Sequence, residues 1–434
     1  MSKEIQKRLK SFYNNLADRP LEPSDEYYVP FLEKHPGDPI KNLRTKINWS
    51  EASSLNLLTG QRGSGKSTEF RRLKKYLEED GCIVFLCNMQ GYLNLTTSIE
   101  ITDFFISMMG ALSIEVKDKY GTDPSQEGFW KRFVKFLNTE VKIKDLSVEM
   151  GIESFKTSLT ASLKDDPSFR ERVQQQSRGH VARLTQQAHE YATIVVNMIR
   201  EKENDRNKKV VLLLDSIEQI RGVGSDASKV YESVENMFSG HADKLHLPLL
   251  HVVYTIPPWL TPITPGLGRV LGGGTVCNLP SIHIVKRDQA SSKCINDPVG
   301  LAIMREIIEK RCSAFGDFFN ENQMNNIALK TGGDLREFFR MIRECLVQAS
   351  DDNQIPIPDK IILDAENKLR RDMLPIAKED MDWLKGIACS KGPNLARIEE
   401  LPRLARFFDT HLVLNYRNDD DWYDIHPLIQ SELE

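Results

Sequence analysis

The chain has 434 residues, 40% of them apolar and 28% charged, with 58 Lys and Arg against 62 Asp and Glu for a net charge of −4. That length predicts about two to four domains, and the 25 Gly and 20 Pro exclude collagen-like or low-complexity character. The near-balance of charge excludes a chain built mainly to coat nucleic acid and leaves room only for a local basic face.

The seven cysteines (Cys82, Cys87, Cys277, Cys294, Cys312, Cys345, Cys389) are scattered and odd in number, with no CxxC or zinc spacing. They are expected to be reduced and mostly buried, in a cytoplasmic protein. No apolar run reaches the roughly 18–20 residues of a membrane span. The stretch Met1–Ala17 lacks the apolar segment of a secretory signal, and no fixed-period repeat is present.

Along the chain, Ile5, Leu9, Phe12 and Leu16 recur at helical spacing and predict an amphipathic helix. Residues 17–39 carry five prolines and read as an extended arm. Helical pattern returns at Ile40–Ile47. Apolar strands follow at Ser54–Leu58, Cys82–Met89, Val210–Leu214, Leu249–Thr255 and Val276–Val285, with a helix at Ser67–Glu79. Buried strands separated by helices indicate a mostly parallel sheet.

The second and third strands are separated by a long segment, far more than the dozen or so residues a crossover needs. It reads as helical at Ile99–Leu112, Phe129–Leu137 and from about Pro167 to Glu203; Asp145–Leu163 alternates weakly and reads as a hairpin. Val181, Leu184, Ala188, Tyr191, Val195 and Met198 form a heptad-like seam, too short for a coiled-coil dimer and expected to pack within its own domain. Beyond the fifth strand, Pro298–Phe315, Glu321–Leu329, Leu335–Ala349 and Asp359–Leu374 read as helices. Lys378–Glu434 reads as three helices and two strands (Leu412–Tyr416, Trp422–Ile425), the order of a winged helix-turn-helix.

The strongest chemical signal is Gly60-Gln-Arg-Gly-Ser-Gly-Lys-Ser-Thr68, which matches GxxxxGK[ST] between an apolar strand and a helix. Gly60, Gly63 and Gly65, with Arg62 and Ser64 between them, let backbone N–H groups close around phosphate oxygens at a helix N-terminus. Lys66 is expected to reach the β- and γ-phosphates, the Ser67 hydroxyl to ligate Mg²⁺, and Thr68 to touch the α-phosphate. The second signal is Val210-Val-Leu-Leu-Leu-Asp215. A buried strand ending in an acid delivers Asp215 to the Mg²⁺ side of such a loop. Many P-loop ATPases place Glu directly after this Asp; here the next residue is Ser216. Glu218 is either the carboxylate that orients the attacking water or a structural acid on the turn.

These motifs, the polar residue ending the fourth strand and the C-terminal helical and winged-helix parts resemble the AAA+/STAND superclass of P-loop ATPases. The resemblance covers residues 20–90 and 208–434. Two relatives compete: STAND signalling switches and origin-recognition-type initiator ATPases. The stretch Arg19–Val29 (RPLEPSDEYYV), with GSGKSTE at 63–69, also resembles bacterial STAND-like ATPases, some linked to antiviral defence. The fold implied is α/β: a P-loop NTPase parallel sheet with a helical insertion, a helical lid and a C-terminal winged-helix domain. The corresponding bounds are 1–48 for helix and arm, 49–290 for the core with its insertion at about 91–207, 291–375 for the lid and 376–434 for the winged helix.

The resemblance also implies site roles. Thr255 fits the sensor that reads the γ-phosphate, or is an ordinary strand residue. Arg269 fits an arginine finger for a neighbouring subunit, whose planar fork stabilises phosphoryl charge, or is a surface arginine. Arg336 fits a second sensor at the start of a lid helix, with Arg340 and Arg343 on nearby turns. His426, in Ile-His-Pro where switches carry Met-His-Asp, fits the residue holding an ADP phosphate, or packs in the wing. The guanine signature Asn-Lys-x-Asp is missing, its nearest string being Asn367-Lys-Leu-Arg370. The cofactors implied are therefore ATP/ADP and Mg²⁺.

The candidate recognition helix Pro402–Asp409 offers Arg403 and Arg406, whereas the wing Arg417-Asn-Asp-Asp-Asp421 would repel phosphate. Duplex binding is disfavoured, and the run Arg71, Arg72, Lys74, Lys75 reads as a solvated face. Three functions follow. The first is an ATP-driven switch whose nucleotide states expose surfaces for self-assembly or a partner effector. The second is an initiator-like DNA-binding ATPase. The third is a regulatory ATPase subunit of a separate enzyme. The sequence stops just past the winged helix, so sensing repeats and effector are expected on another molecule.

Overall fold

The computed structural model describes residues 2–34, 37–121, 128–142, 152–264, 266–271, 276–287, 294–395, 397–417 and 421–433. In chain order the elements are α1 (Lys3–Asn15), α2 (Pro39–Trp49), β1 (Ser54–Thr59), α3 (Lys66–Glu79), β2 (Ile83–Asn88), α4 (Ile101–Tyr120), α5 (Phe129–Thr139), α6 (Ile152–Asp165), α7 (Pro167–Ser177) and α8 (Val181–Lys202). There follow β3 (Val210–Asp215), α9 (Ala227–Glu235), β4 (Leu250–Ile256), α10 (Leu260–Ile263), α11 (Leu267–Val270), β5 (Val276–Asn278), β6 (Val285–Arg287) and β7 (Cys294–Asn296). The remainder is α12 (Pro298–Arg311), α13 (Glu321–Lys330), α14 (Leu335–Asp351), α15 (Asp359–Asp372), α16 (Lys378–Ser390), α17 (Leu401–Asp409), β8 (Val413–Arg417), β9 (Asp421–Ile425) and α18 (Gln430–Leu433).

The chain divides into two compact units. The sheet unit comprises Pro39–Thr59 and Phe70–Cys277; the loop unit comprises Met1–Asp38, Gly60–Glu69 and Asn278–Glu434. The sheet has the order β2-β3-β4-β1-β5. Pairing is parallel between β2 and β3, β3 and β4, and β4 and β1. In register, Asn88 lies opposite Asp215, Leu214 opposite Tyr254 and Leu58 opposite Thr255. The strands therefore end at one level, where the loops of parallel α/β sheets place their chemistry. Every residue of β3 and β4 is buried, which is why these runs are continuously apolar rather than alternating.

The insertion is helical. A capping box between Glu100 and Asp103 opens α4, and Gly121 in a left-handed conformation (φ 73°) closes it. The seam on α8 is consumed inside this unit: Leu184, Ala188, Tyr191 and Val195 are buried, and the Tyr191 ring lies 5.1 Å from Phe129 and 5.7 Å from Trp130. The hairpin expected at Asp145–Leu163 is helix α6 from Ile152 on. Its buried Leu159 and Leu163 stand four apart, a helical rather than a strand spacing; residues 145–151 lie outside the described residues.

Three further expectations need correction. The strand expected over Val276–Val285 is split: β5 stops at Asn278, before Pro280, and Val285 opens an antiparallel hairpin with β7. Proline has no N–H to give a sheet ladder. In the C-terminal part, two helices and a 3₁₀ turn at Ile398–Glu400 precede the β8–β9 hairpin, not three helices. The hairpin packs through Leu414, Tyr416 and Trp422 against Val285. The basic run on α3 is not a uniformly solvated face either: Arg72 is buried, its guanidinium 5.7 Å from the Tyr76 ring centre.

In the loop unit, Ser2 caps α1 through Ile5 N–H, and Leu9, Phe12 and Leu16 are buried. The arm is pinned by Lys310 Nζ donating to the Tyr28 carbonyl at 2.8 Å and by Tyr28 Oη donating to Glu69 at 3.1 Å. Asp297, with Pro298 behind it, caps α12, and Asn320 and Gln323 form a capping box on α13.

Candidate functional site

The glycine-rich loop leaves the end of β1 and enters α3 at Lys66. Gly63 and Gly65 hold φ of 89° and 91°, a region that favours glycine. Gly60 is required by space: a Cβ there would lie 2.5 Å from the Leu279 carbonyl oxygen. Lys66 Nζ donates to the carbonyls of Gly60 and Gln61, both at 2.9 Å, so the ammonium is held on its own loop. Ser67 and Thr68 sit in the first turn of α3; Thr68 Oγ1 accepts from Leu21 N–H of the arm at 3.1 Å. Ser64 Oγ is buried and unpaired among the described residues.

Three residues outside the sequence-derived set contact this loop or its contacts. Gln61 Nε2 donates to the carbonyls of Phe408 and Val413, both at 3.4 Å. Asp334 is buried and packs on Gly63, where an added Cβ would meet Oδ1 at 2.4 Å. Asp334 Oδ1 also caps α14, accepting from the amides of Arg336 (2.8 Å) and Glu337 (3.1 Å). His411 Nδ1 lies 3.2 Å from Asp334 Oδ2. Burial alone would raise the Asp334 carboxyl, but His411 and the cap donors outweigh it and hold it below the usual carboxylate range. An Asp opening a helix after two glycines is legible as a cap; its contact with Gly63 is not.

His426 is fully buried. Its Nδ1 accepts from Leu428 N–H at 3.2 Å, which assigns the proton to Nε2, and Nε2 is unpaired among the described residues. Burial, aided by nearby His411, pushes its pKa down to about 3, so the ring is neutral. Arg336 pairs with Asp18 at 2.6 Å. Its neighbours are also engaged, Arg340 with Glu337 and Asp372, and Arg343 over the Tyr13 ring at 4.1 Å.

In the sheet unit, Asp215 ends β3 and is buried, its Oδ1 accepting from Ser216 N–H at 2.8 Å. Ser216 is left-handed (φ 71°) and starts the turn carrying Glu218, itself buried. Thr255 Oγ1 accepts from Ile217 N–H at 3.0 Å and donates to the Leu214 carbonyl at 3.2 Å. Both partners are backbone groups flanking Asp215. Arg269 is exposed on α11.

Arg403 and Arg406 both bind the buried Asp380, so the two basic groups of the candidate recognition helix hold the fold. Of the acids expected at the wing tip, Asp421 accepts from Asn278 at 2.9 Å; residues 418–420 lie outside the described residues. Among the described residues no group of three or more His, Cys, Asp or Glu is placed to hold a metal. No helix there is long and apolar enough to cross a membrane, and no disulfide is formed, with Cys82, Cys87, Cys277 and Cys345 buried.

No protein-family model and no curated protein matches this chain. Among solved structures it is similar to the ORC2 protein of Aeropyrum pernix in ADPNP–ADP complexes, at 11% identity over 96% of this chain and 94% of that one, TM-score 0.42. Drosophila ORC bound to DNA is similar at 11% identity over 98% and 90%, TM-score 0.42. The Walker-type ATPase paby2304 of Pyrococcus abyssi is similar at 15% identity over 96% and 99%, TM-score 0.41.

Proposed function

We propose that this chain is a Mg²⁺-dependent ATP-binding protein that hydrolyses ATP slowly and acts as a nucleotide-controlled switch. The observation that carries the reading is one of chain order and register. The loop Gly60–Thr68 leaves β1, and Asp215 ends β3, in the same sheet with β4 alone between those strands. A phosphate-cradling loop and a carboxylate delivered to the same strand edge are what a nucleotide–Mg²⁺ site needs.

In this reading the backbone N–H groups of 60–65 cradle phosphate and Lys66 leaves the carbonyls of Gly60 and Gln61 to neutralise β- and γ-oxygens. Arg62 flanks the phosphates, and Thr68 completes the first helical turn at the α-phosphate. Ser67 and Asp215 hold Mg²⁺, and Glu218 orients the attacking water. His426 offers its unpaired Nε2–H to a phosphate oxygen. Arg336 acts as the lid's sensor after leaving Asp18, and Arg269, exposed, serves a neighbouring subunit. Ser216 in place of a second acid is the reason to expect slow turnover.

The output is assembly or docking on a separate effector, in a cytoplasmic setting such as antiviral defence. Winged-helix character of 376–434 belongs to this reading, with the wing used for protein contacts. The test is nucleotide titration and turnover. Wild type should bind ATP and ADP with Mg²⁺ and change its assembly state between them. Lys66→Ala should abolish binding, and Asp215→Asn should keep binding but lose Mg²⁺-dependent hydrolysis. Equal, weak binding of ATP by wild type and Lys66→Ala would reject the reading. Salt-sensitive duplex binding by wild type would favour the initiator-like alternative, and an unchanging size without DNA binding the regulatory-subunit one.

A further inference from the structure

We propose that the Asp334 carboxylate, seated against Gly63 and paired with His411, is a charge gate on the glycine-rich loop that couples phosphate binding to the hold on the C-terminal hairpin. The proposal rests on reading that loop as a phosphate site. All the residues involved lie in the loop unit.

The gate is built by an unusual turn. Gly332 and Gly333 are both left-handed (φ 65° and 78°), and neither leaves room for a side chain. A Cβ on Gly332 would fall 2.2 Å from Leu414 Cδ1, and one on Gly333 2.2 Å from the Ile282 carbonyl. The turn is thus wedged against β8, and it delivers Asp334 as the cap of α14 with its carboxylate on Gly63. His411, itself left-handed at φ 59° just past the end of α17, lies with Nδ1 3.2 Å from Asp334 Oδ2. The loop therefore meets the C-terminal segment twice. Gln61 holds the carbonyls of Phe408 and Val413 directly, and Gly63 reaches His411 through Asp334.

The electrostatics set the direction. Loop amides and Lys66 attract anions, and a buried carboxylate at Gly63 already supplies one. Like charges at short range in a poorly solvated site repel strongly. A phosphate entering at Gly63 raises the energy of the Asp334 anion, which is relieved when the carboxylate moves off or its contact with His411 rearranges. Because coupling is reciprocal, the factor by which bound phosphate favours the displaced Asp334 carboxylate is the factor by which that displacement tightens phosphate binding.

The substitution Asp334→Asn isolates the charge, since Asn caps a helix as well as Asp does. D334N should bind ADP and a non-hydrolysable ATP analogue about tenfold tighter, the equivalent of one pKa unit of interaction, with adenosine binding unchanged. H411Q, leaving Asp334 without its compensating partner, should bind both nucleotides more weakly, and that loss should vanish in the D334N/H411Q double variant. In wild type, ADP should speed amide exchange over residues 412–417, and D334N should show this faster exchange without nucleotide. Nucleotide binding by wild type with D334N unchanged or weaker overturns the gate alone, as does an H411Q loss that survives in the double variant. Binding by neither wild type nor D334N overturns the phosphate-site reading and the gate with it.

Discussion

Thr255 Oγ1 sits 3.0 Å from the amide nitrogen of Ile217, tying the end of β4 to the turn that follows Asp215. The same hydroxyl gives its proton to Leu214, so both sides of Asp215 are braced by one side chain. Thr255→Val keeps the shape and removes both bonds. It should destabilise the protein by about 1–3 kcal/mol, the cost of unpaired buried groups, and lower hydrolysis more than ATP binding. Thr255→Ser should restore both. Urea unfolding and turnover, measured on all three, check this; unchanged stability in T255V would sink the bracing role.

Gly60→Ala should fail for a reason of space. Its Cβ meets the Leu279 backbone carbonyl at 2.5 Å, and backbone cannot swing aside as a flexible side chain can. Overpacking of this kind costs about 1–3 kcal/mol. The expected result is a lower melting temperature and nucleotide affinity reduced by more than about tenfold, equivalent to 1.4 kcal/mol. Gly37→Ala has open space but a φ of 83°; it should cost stability through strain while leaving nucleotide affinity intact.

His426 predicts a specific acid sensitivity. Its folded pKa is depressed to about 3, chiefly by burial, against about 6.5 when unfolded. Between these values the unfolded chain holds the extra proton, so stability rises with pH. The contribution is full above about 6.5 and is lost progressively as pH falls toward 3. Urea midpoints from pH 7.5 to 4 should fall more steeply for wild type than for His426→Gln. Parallel curves would remove the assignment.

The pair Arg403 and Arg406 is a trap for a DNA-binding experiment. Both converge on Asp380, which is buried. Replacing both with Ala strands a buried carboxylate, at a cost of about 1–3 kcal/mol, so lost DNA binding in that variant would report unfolding. Adding Asp380→Asn to the double substitution should recover most of the lost melting temperature. No recovery would show that the arginines do not hold the fold through this acid.

Local structure is written in short stretches of the chain. Apolar runs such as Val210–Leu214 read as buried strands, GxxxxGK[ST] marks a strand-to-helix turn, and i, i+3, i+4 patterns mark most of the helices. The weak alternation over Asp145–Leu163 reads as a hairpin, whereas Ile152–Asp165 is helical. Pro280 lies inside the expected fifth strand, and the observed strand ends before it at Asn278. The partners of charged and polar side chains emerge only on folding: Asp334 on Gly63, Arg403 and Arg406 on Asp380, Arg336 on Asp18, Thr255 on the turn after Asp215. The physical reason is range. Hydrophobic periodicity is written within a few residues of each position, whereas these contacts join positions from 23 to several hundred residues apart. Each is fixed by burial and hydrogen-bond geometry that no local pattern encodes.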